Sequence, residues 1–266
     1  LPSDLQPPAL IEALDRVKSR LGVLESVVHY FESTSSTNDQ ALALAREGVV
    51  VLADAQTAGR GRRGHVWFSP SGSGLYVSVV LAPARARVDP ERATKLVTLM
   101  AGLAVAEGIE AATGLRAEVK WPNDLYRGVR KLGGILAEAS ASPARLVVVG
   151  YGVNVLPAAY PPELRSRATS LESELGHPIE RFWVLSETLV AVAARYADLL
   201  DGKYDAILDA WRGRAPTATG ASVAWATPLG TMSGTTSGID EDGALLVRTD
   251  AGLERIVAGE LQWDFR

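Results

Sequence analysis

The sequence predicts an α+β protein: a mixed-sheet domain over residues 1–214, then a small SH3-like β unit over residues 215–266. Three observations carry this. Apolar runs of strand length recur between segments whose apolar residues repeat with helical spacing. A helical run extends from Pro90 to Thr113 and is ended by Gly114. After Arg214 the pattern changes to short β-type runs divided by Gly- and Asp-rich turns.

Taken in order, residues 8–21 place Leu10, Ile11, Leu14, Val17 and Leu21 on one helical face behind a proline start. Ser26–Phe31 reads as a strand. Residues 33–38 offer N-cap side chains to a helix through Asp39–Arg46, with Gly48 as its stop. Val49–Ala53 and Leu75–Leu81 read as strands on either side of a glycine- and arginine-rich loop, Ala58–Gly74. Strands follow at 115–120, 131–139 and 145–151, and helices at 180–200 and 203–212. In the β unit, runs at Ala221–Ala226, Gly243–Arg248 and Leu253–Val257 are joined by hairpin signals such as Asp242-Gly243.

Composition narrows the chemistry. There is no cysteine, which excludes disulfides, thiol nucleophiles, Fe–S clusters and thiolate zinc sites. Three scattered histidines, His29, His65 and His177, are a poor basis for a multi-histidine metal centre. The net charge of −4 argues against wholesale nucleic-acid binding. The longest strongly apolar stretch, Leu96–Ala106, falls short of the ~18–20 residues that span a bilayer, and no signal-peptide pattern opens the chain. A soluble cytoplasmic protein is expected. The chain starts at Leu1 without a methionine. Arginines outnumber lysines 22 to 5, so each lysine draws attention.

Four motifs could carry chemistry. Gly59-Arg60-Gly61-Arg62-Arg63-Gly64 matches the dinucleotide-binding spacing, yet His-Val-Trp-Phe-Ser-Pro follows where a helix should open, which excludes that reading. What remains is a loop whose backbone N–H groups and guanidinium groups could wrap an anion, or simply a solvated basic loop. Lys120-Trp-Pro-Asn123-Asp124 holds three polar side chains around a proline turn. Lys131-Leu-Gly-Gly-Ile-Leu136 starts a strand whose glycines permit close approach of a ligand or another backbone. Gly150-Tyr151-Gly152-Val153-Asn154 ends an apolar strand and reads equally as a turn.

Their order is more specific than any one of them. Ser36-Thr37-Asn38, Gln56-Thr-Ala-Gly59-Arg60-Gly61-Arg62, Trp67 and the three later motifs together resemble the biotin protein ligases over residues 33–155, and more loosely in the β unit. The resemblance implies a biotin/lipoate-ligase-like, class II synthetase-like catalytic domain. It implies activation of biotin with MgATP to biotinyl-5′-AMP, then transfer to one lysine of a biotin carboxyl carrier domain.

By that resemblance Ser36, Thr37, Asn38, Gln56, Gly59 and backbone near Arg60 meet biotin, with Trp67, Gly134 and Leu136 walling it. Arg60, Gly61, Arg62, Arg63, Lys120, Asn123, Gly152 and Asn154 lie at the adenylate. Lys131 touches both substrates, and Arg62, Lys120 and Asp124 join it as catalytic residues. Asn123 and Asp124 either help hold Mg²⁺ or orient a lysine and the incoming nucleophile. The metal is expected mainly on the ATP phosphates, with protein ligands unknown.

Two positions depart from the family pattern. His65 stands where another arginine is common, and Tyr151 could narrow or stack on the nucleotide site. About 32 residues precede the Ser-Thr-Asn motif, too few for a winged helix, so a ligase without DNA binding is expected; homodimerisation is a family habit. The rival readings are a lipoate–protein ligase and a non-catalytic biotinyl-adenylate-binding regulator.

Overall fold

The computed structural model describes residues 6–24, 28–140, 145–157, 160–162, 164–228 and 230–264. Helix α1 (Pro8–Val17) starts on proline and turns Leu10, Ala13, Leu14 and Val17 inward. Strand β1 (His29–Thr34) begins three residues later than the pattern suggested and runs further; Ser26 and Val27 lie outside the described residues. Helix α2 (Thr37–Leu44) starts and ends two residues early relative to expectation. Its stop is Ala45, not Gly48: Ala45 takes a left-handed conformation (φ 43°) and donates its N–H to the Ala41 carbonyl at 3.0 Å.

Strands β2 (Val50–Gln56), β3 (Gly74–Leu81), β4 (Glu118–Lys120), β5 (Asp124–Arg127), β6 (Arg130–Ala139) and β7 (Val147–Asn154) join β1 in a seven-stranded sheet. The spatial order is β1-β2-β3-β7-β6-β5-β4. Only β1 and β2 pair in parallel, so the sheet is mixed, as expected. Strand β5 escaped sequence reading because four residues between two turns are too short to show alternation. The strand expected at 115–120 keeps only its last three residues.

Helix α3 (Pro90–Thr113) has the bounds its capping signals predicted. Asp89 accepts from the Arg92 N–H at its start, and Gly114 takes a left-handed conformation at its end. By length and composition α3 could cross a membrane, yet it lies largely buried inside this fold. It packs against α5 (Arg181–Leu200) so closely that a Cβ on Gly108 would lie 2.4 Å from the Thr188 Cα. A short α4 (Leu171–Leu175), not foreseen, and α6 (Tyr204–Arg212) complete the helices.

The C-terminal unit is a five-stranded antiparallel sheet of order β11-β10-β9-β8-β12. Its strands are β8 (Thr219–Thr227), β9 (Gly230–Ile239), β10 (Leu245–Thr249), β11 (Gly252–Ile256) and β12 (Gln262–Asp264). Strand β9 was not anticipated. Its Gly/Thr/Ser run reads locally as loop and becomes a strand because β8 and β10 hydrogen-bond to it on both sides.

This unit is docked rather than tethered. Trp121, 3% exposed, donates its indole N–H to the Gly243 carbonyl at 2.9 Å, and Arg92 Nε donates to the Glu241 carbonyl at 2.8 Å. Lys95 on α3 pairs with Asp242 at 3.2 Å.

Candidate active site

The N-terminus of α2, the β2–β3 connection, the β4–β5 turn and the glycine positions of β6 and β7 converge on one cavity of about 450 Å³. Every site residue expected from the sequence lines it except Gly59. Gly59 lies behind the wall, where a Cβ would come 2.6 Å from the Trp67 carbonyl oxygen. The glycine-rich loop is a closed hairpin: Gly61 N–H donates to the His65 carbonyl (2.7 Å) and Trp67 N–H to the Gly59 carbonyl (2.9 Å). Its tip, Arg62–Gly64, is a single 3₁₀ turn with Arg63 at φ 55°.

One end of the cavity is a polar cradle. Gln56 Oε1 accepts from the backbone N–H of Thr37 (2.9 Å) and from its hydroxyl (3.2 Å), while Nε2 donates to Ser69 Oγ (3.0 Å). Ser36 stands at the N-cap position of α2 but makes no side-chain capping bond, so its hydroxyl is not spent on the helix. Asn38 spans the gap to β6, donating to Glu138 Oε2 (2.6 Å) and accepting from Ser78 Oγ (2.6 Å). Arg60 grips Asp39 with two hydrogen bonds (2.6 and 2.9 Å) and reaches Glu138 at 3.2 Å. Those bonds hold Asp39 below the usual carboxylate range and Arg60 above the usual arginine range. The Arg60 guanidinium is thus paired with two carboxylates, and Arg60 lines the cavity.

The other end is cationic. Lys131 Nζ lies 2.7 Å from Asp124 Oδ1, across the β5–β6 pair. Arg62 donates to Asn123 Oδ1 (3.2 Å), and Asn123 Nδ2 in turn donates to the Ile135 carbonyl (2.8 Å). Burial, then the neighbouring Arg63, lowers the Arg62 pKa, while Asp124 opposes. Lys120 is 7% exposed, and burial chiefly pushes its pKa down to about 8. Lys131 and Arg167 act in the same direction and Asp124 against it.

Between the two ends stands Trp67. A Cβ on Gly152 would lie 2.4 Å from Trp67 Nε1, and one on Gly134 would lie 3.5 Å from Trp67 Cζ3. The indole thus lies on bare backbone of β6 and β7, with its N–H buried and unpaired. Gly150 makes the same allowance for Asn38, whose Oδ1 would meet a Cβ at 2.2 Å.

The chain matches the model of the "Biotin/lipoate A/B protein ligase family" over residues 30–154 and that of the "Biotin protein ligase C terminal domain" over residues 223–262. It is 36% identical to the "Bifunctional ligase/repressor BirA" of Bacillus subtilis, spanning 97% of this chain and 80% of that protein. The chain belongs to the biotin protein ligases. It is also 34% identical to the "Biotin--[acetyl-CoA-carboxylase] ligase" of Paracoccus denitrificans, covering 86% of this chain and 97% of that one. Among solved structures it is similar to the Aquifex aeolicus biotin protein ligase in complex with biotin and ATP: TM-score 0.77, 29% identity, 88% of this chain and 97% of that one covered.

Within this biotin ligase framework one expectation is corrected. Tyr151 does not stack on a nucleotide site. The register of β7 sends it to the opposite face of the sheet from Gly150 and Gly152, where it is 3% exposed and its hydroxyl meets Thr188 Oγ1 on α5 at 3.1 Å. Burial raises its pKa. His65, the other departure, lies at the hairpin edge with Nε2 3.8 Å from Glu260 Oε1 of the C-terminal unit. Asn154 lines the cavity but ties its amide to the Thr169 carbonyl at 2.9 Å.

Sequence reasoning missed several lining residues of this ligase cavity: Tyr126, Tyr160, Arg167, Glu260 and Trp263. Arg167 arrives because residues 167–169 bridge to Lys131; the Lys131 N–H donates to its carbonyl at 2.7 Å and Thr169 N–H returns to the Lys131 carbonyl at 2.9 Å. No local signal marks it. Trp263 carried a weak one, as an aromatic in a polar edge strand.

Among the described residues no group of three or more His, Cys, Asp or Glu side chains could enclose a metal ion. Asp124 and Glu260 are the carboxylates that line the cavity, and Asp124 already holds Lys131. That donor set suits a hard cation carried in on phosphate oxygens, with at most a carboxylate added.

Proposed function

We propose that this chain makes biotinyl-5′-AMP from biotin and ATP and passes the biotinyl group to a lysine of a biotin carboxyl carrier domain. The observation that carries the reading is the two-ended cavity: a hydrogen-bonding cradle at one end, and Lys131, Lys120, Arg62, Arg63 and Arg167 around the Lys131-paired Asp124 at the other. A ureido ring has two donors and one acceptor, which Ser36, Thr37, Gln56 and backbone near Arg60 can match. The aliphatic chain then lies along Trp67 toward Lys131.

In the first step a biotin carboxylate oxygen attacks the α-phosphorus of ATP. The bond from that phosphorus to the bridging oxygen breaks, and pyrophosphate leaves. Two anions must meet, so fixed cations in a site shielded from water lower the barrier. Lys131 bridges the carboxylate and the α-phosphate, Arg62 and Arg63 hold the adenylate, and Lys120 meets the other phosphates. Mg²⁺, brought by ATP, neutralises phosphate charge when bound. In the second step the carrier amine attacks the mixed-anhydride carbonyl. The carbonyl–oxygen bond breaks, AMP leaves, and the amine loses a proton as the amide forms. No enzyme nucleophile is needed, in keeping with the absence of cysteine.

The same proposal takes residues 1–214 as the catalytic domain and 215–266 as the β unit, with a cytoplasmic location and a homodimer. It gives residues 1–266 no DNA-binding role, in keeping with their net charge of −4. The deciding experiment is biotin-dependent ATP–pyrophosphate exchange, together with mass analysis of an apo carrier domain after incubation with biotin and MgATP. Exchange and a single biotinyl adduct on the carrier lysine are expected. Absence of both overturns the reading.

A further inference from the structure

The Lys120 ammonium sits between two aromatic rings that come from different parts of the fold. Its Nζ is 3.8 Å from the centroid of the Tyr126 ring and 5.5 Å from that of Trp263. Tyr126 is the diagonal cross-strand neighbour of Lys120 in the β4–β5 hairpin, where Lys120 opposes Asp124 and Glu118 opposes Tyr126. Trp263 comes from the last strand of the chain and is held there by pairing with Val223 of β8. The residues ahead of it, Gly259, Glu260 and Leu261, line the same cavity. Trp121, next to Lys120 in the chain, is anchored to Gly243 of the same C-terminal unit. Two consecutive residues of the Lys120-Trp121 motif are thus gripped by the β unit, one through its charge and one through its indole N–H.

From this geometry we infer that Trp263 is a positioning residue for ATP: with Tyr126 it cages the Lys120 ammonium and aims it at the nucleotide phosphates, making the C-terminal unit part of the nucleotide site. The inference rests on the ligase reading above. Its physics is distinct. A ring face attracts a cation through its quadrupole, and the attraction is strongest where water is excluded. The rings attract the ammonium without carrying a compensating negative charge, as a carboxylate would.

The charged and titratable groups that bear on it include Asp124 and Tyr126 from β5, Lys131 from β6 and Arg167 from the segment bridged to Lys131; Asp264 follows Trp263 on β12, and Glu260 lines the same cavity. Removing the indole admits water to a lysine that burial now holds near pKa 8. Loss of the ring's attraction alone lowers the pKa, but burial is the largest cause of its depression, so readmitted water wins and the pKa moves up toward the ordinary lysine range.

The test compares wild type, Trp263→Leu, Trp263→Phe and Tyr126→Leu as full-length proteins. In wild type kcat/KM for ATP in the exchange reaction falls as pH rises through about 8, where Lys120 loses its proton. Trp263→Leu raises KM for ATP about tenfold, leaves KM for biotin unchanged, and moves the alkaline limb upward by a pH unit or more. Trp263→Phe, which keeps a ring, restores most of both. Independently of activity, ¹³C-lysine NMR of the five lysines shows the Lys120 Cε protons shifted upfield by ring currents, and the shift shrinks in Trp263→Leu and Tyr126→Leu. Wild type without exchange activity overturns the ligase reading, while the NMR arm still tests the cage. Unchanged Lys120 resonances in both leucine variants, or an unchanged KM and alkaline limb in Trp263→Leu, overturn the cage. If Trp263→Leu does not fold, Trp263→Phe and Tyr126→Leu decide it by the same readouts.

Discussion

Gly152→Ala should cripple biotin binding, and the size of the effect follows from the packing under Trp67. The new Cβ would lie 2.4, 2.5 and 2.7 Å from Trp67 Nε1, Cε2 and Cζ2, where ordinary contact begins at 3.4 Å. The ring must move about 1 Å. A small slide along the sheet does not clear the clash, because three atoms of the ring lie within 2.7 Å of the new Cβ. Its backbone cannot yield either, because Trp67 N–H is bonded to the Gly59 carbonyl and Gly59 is packed against the Trp67 carbonyl. The indole therefore lifts into the cavity, and no hydrogen bond resists, its N–H having none.

Overpacking of this kind costs about 1–3 kcal/mol, a fall in Tm of roughly 2–10 °C for a chain of this size. Displacing the wall of a closely fitting pocket should cost biotin affinity at least about tenfold, some 1.4 kcal/mol. Isothermal calorimetry with biotin and thermal unfolding measure the two effects. Gly102→Ala is the control: its Cβ would meet only Ile135 Cγ1, at 3.8 Å, in mid-helix α3, so a gain of up to about 1 kcal/mol is expected there. Wild-type biotin affinity in Gly152→Ala would refute the placement of Trp67 as the pocket wall.

Four further outcomes are expected. Lys131→Ala leaves biotin affinity largely intact by calorimetry but abolishes biotin-dependent pyrophosphate exchange; unchanged exchange would show the lysine is misassigned. Arg62→Ala loses a charge-assisted hydrogen bond worth roughly 1.5–3 kcal/mol, so bound biotinyl-AMP dissociates about 10–100-fold faster in filter-retention assays while biotin affinity changes little. Tyr151→Phe costs about 1 kcal/mol of stability through the lost contact with Thr188 and leaves KM for ATP unaltered; a changed KM would return that side chain to the nucleotide site. The fold holds Lys120 below its unfolded pKa, so between pH 8 and 10 the unfolded chain binds more protons. Stability contributed at this position therefore rises with pH in that window, by at most about 1.4 kcal/mol per unit, and chemical denaturation of Lys120→Met should lack that component.

Much of the site was legible in one dimension because its parts are short and rigidly spaced. The Lys120–Asp124 turn, the Lys131–Leu136 strand start and the glycine-rich hairpin each keep their polar groups within a few residues of a turn, so local geometry alone gathers them. The unreadable parts came from register and from distant chain. Tyr151 lies between two cavity glycines, but strand alternation sends it through the sheet to Thr188. The partners of Arg60, Asp39 and Glu138, lie 21 and 78 positions away and come to it only through the fold. Ser36 offered itself as a helix cap, and only the structure shows that its hydroxyl makes no such bond.

The sequence by itself determined the α+β order of elements, the bounds of α3, the exclusion of thiol chemistry and the cluster of motifs that mark a biotin ligase. Those properties depend on periodicity, caps and turns, which act over a few residues. Only the tertiary structure decided that Trp67 rests on Gly152, that Arg167 arrives beside Lys131, and that Trp263 covers a lysine 143 positions earlier. Such contacts depend on strand register and on the docking of the β unit against α3 and Trp121. No local pattern encodes them, because they form only when segments far apart in the chain bury surface against each other.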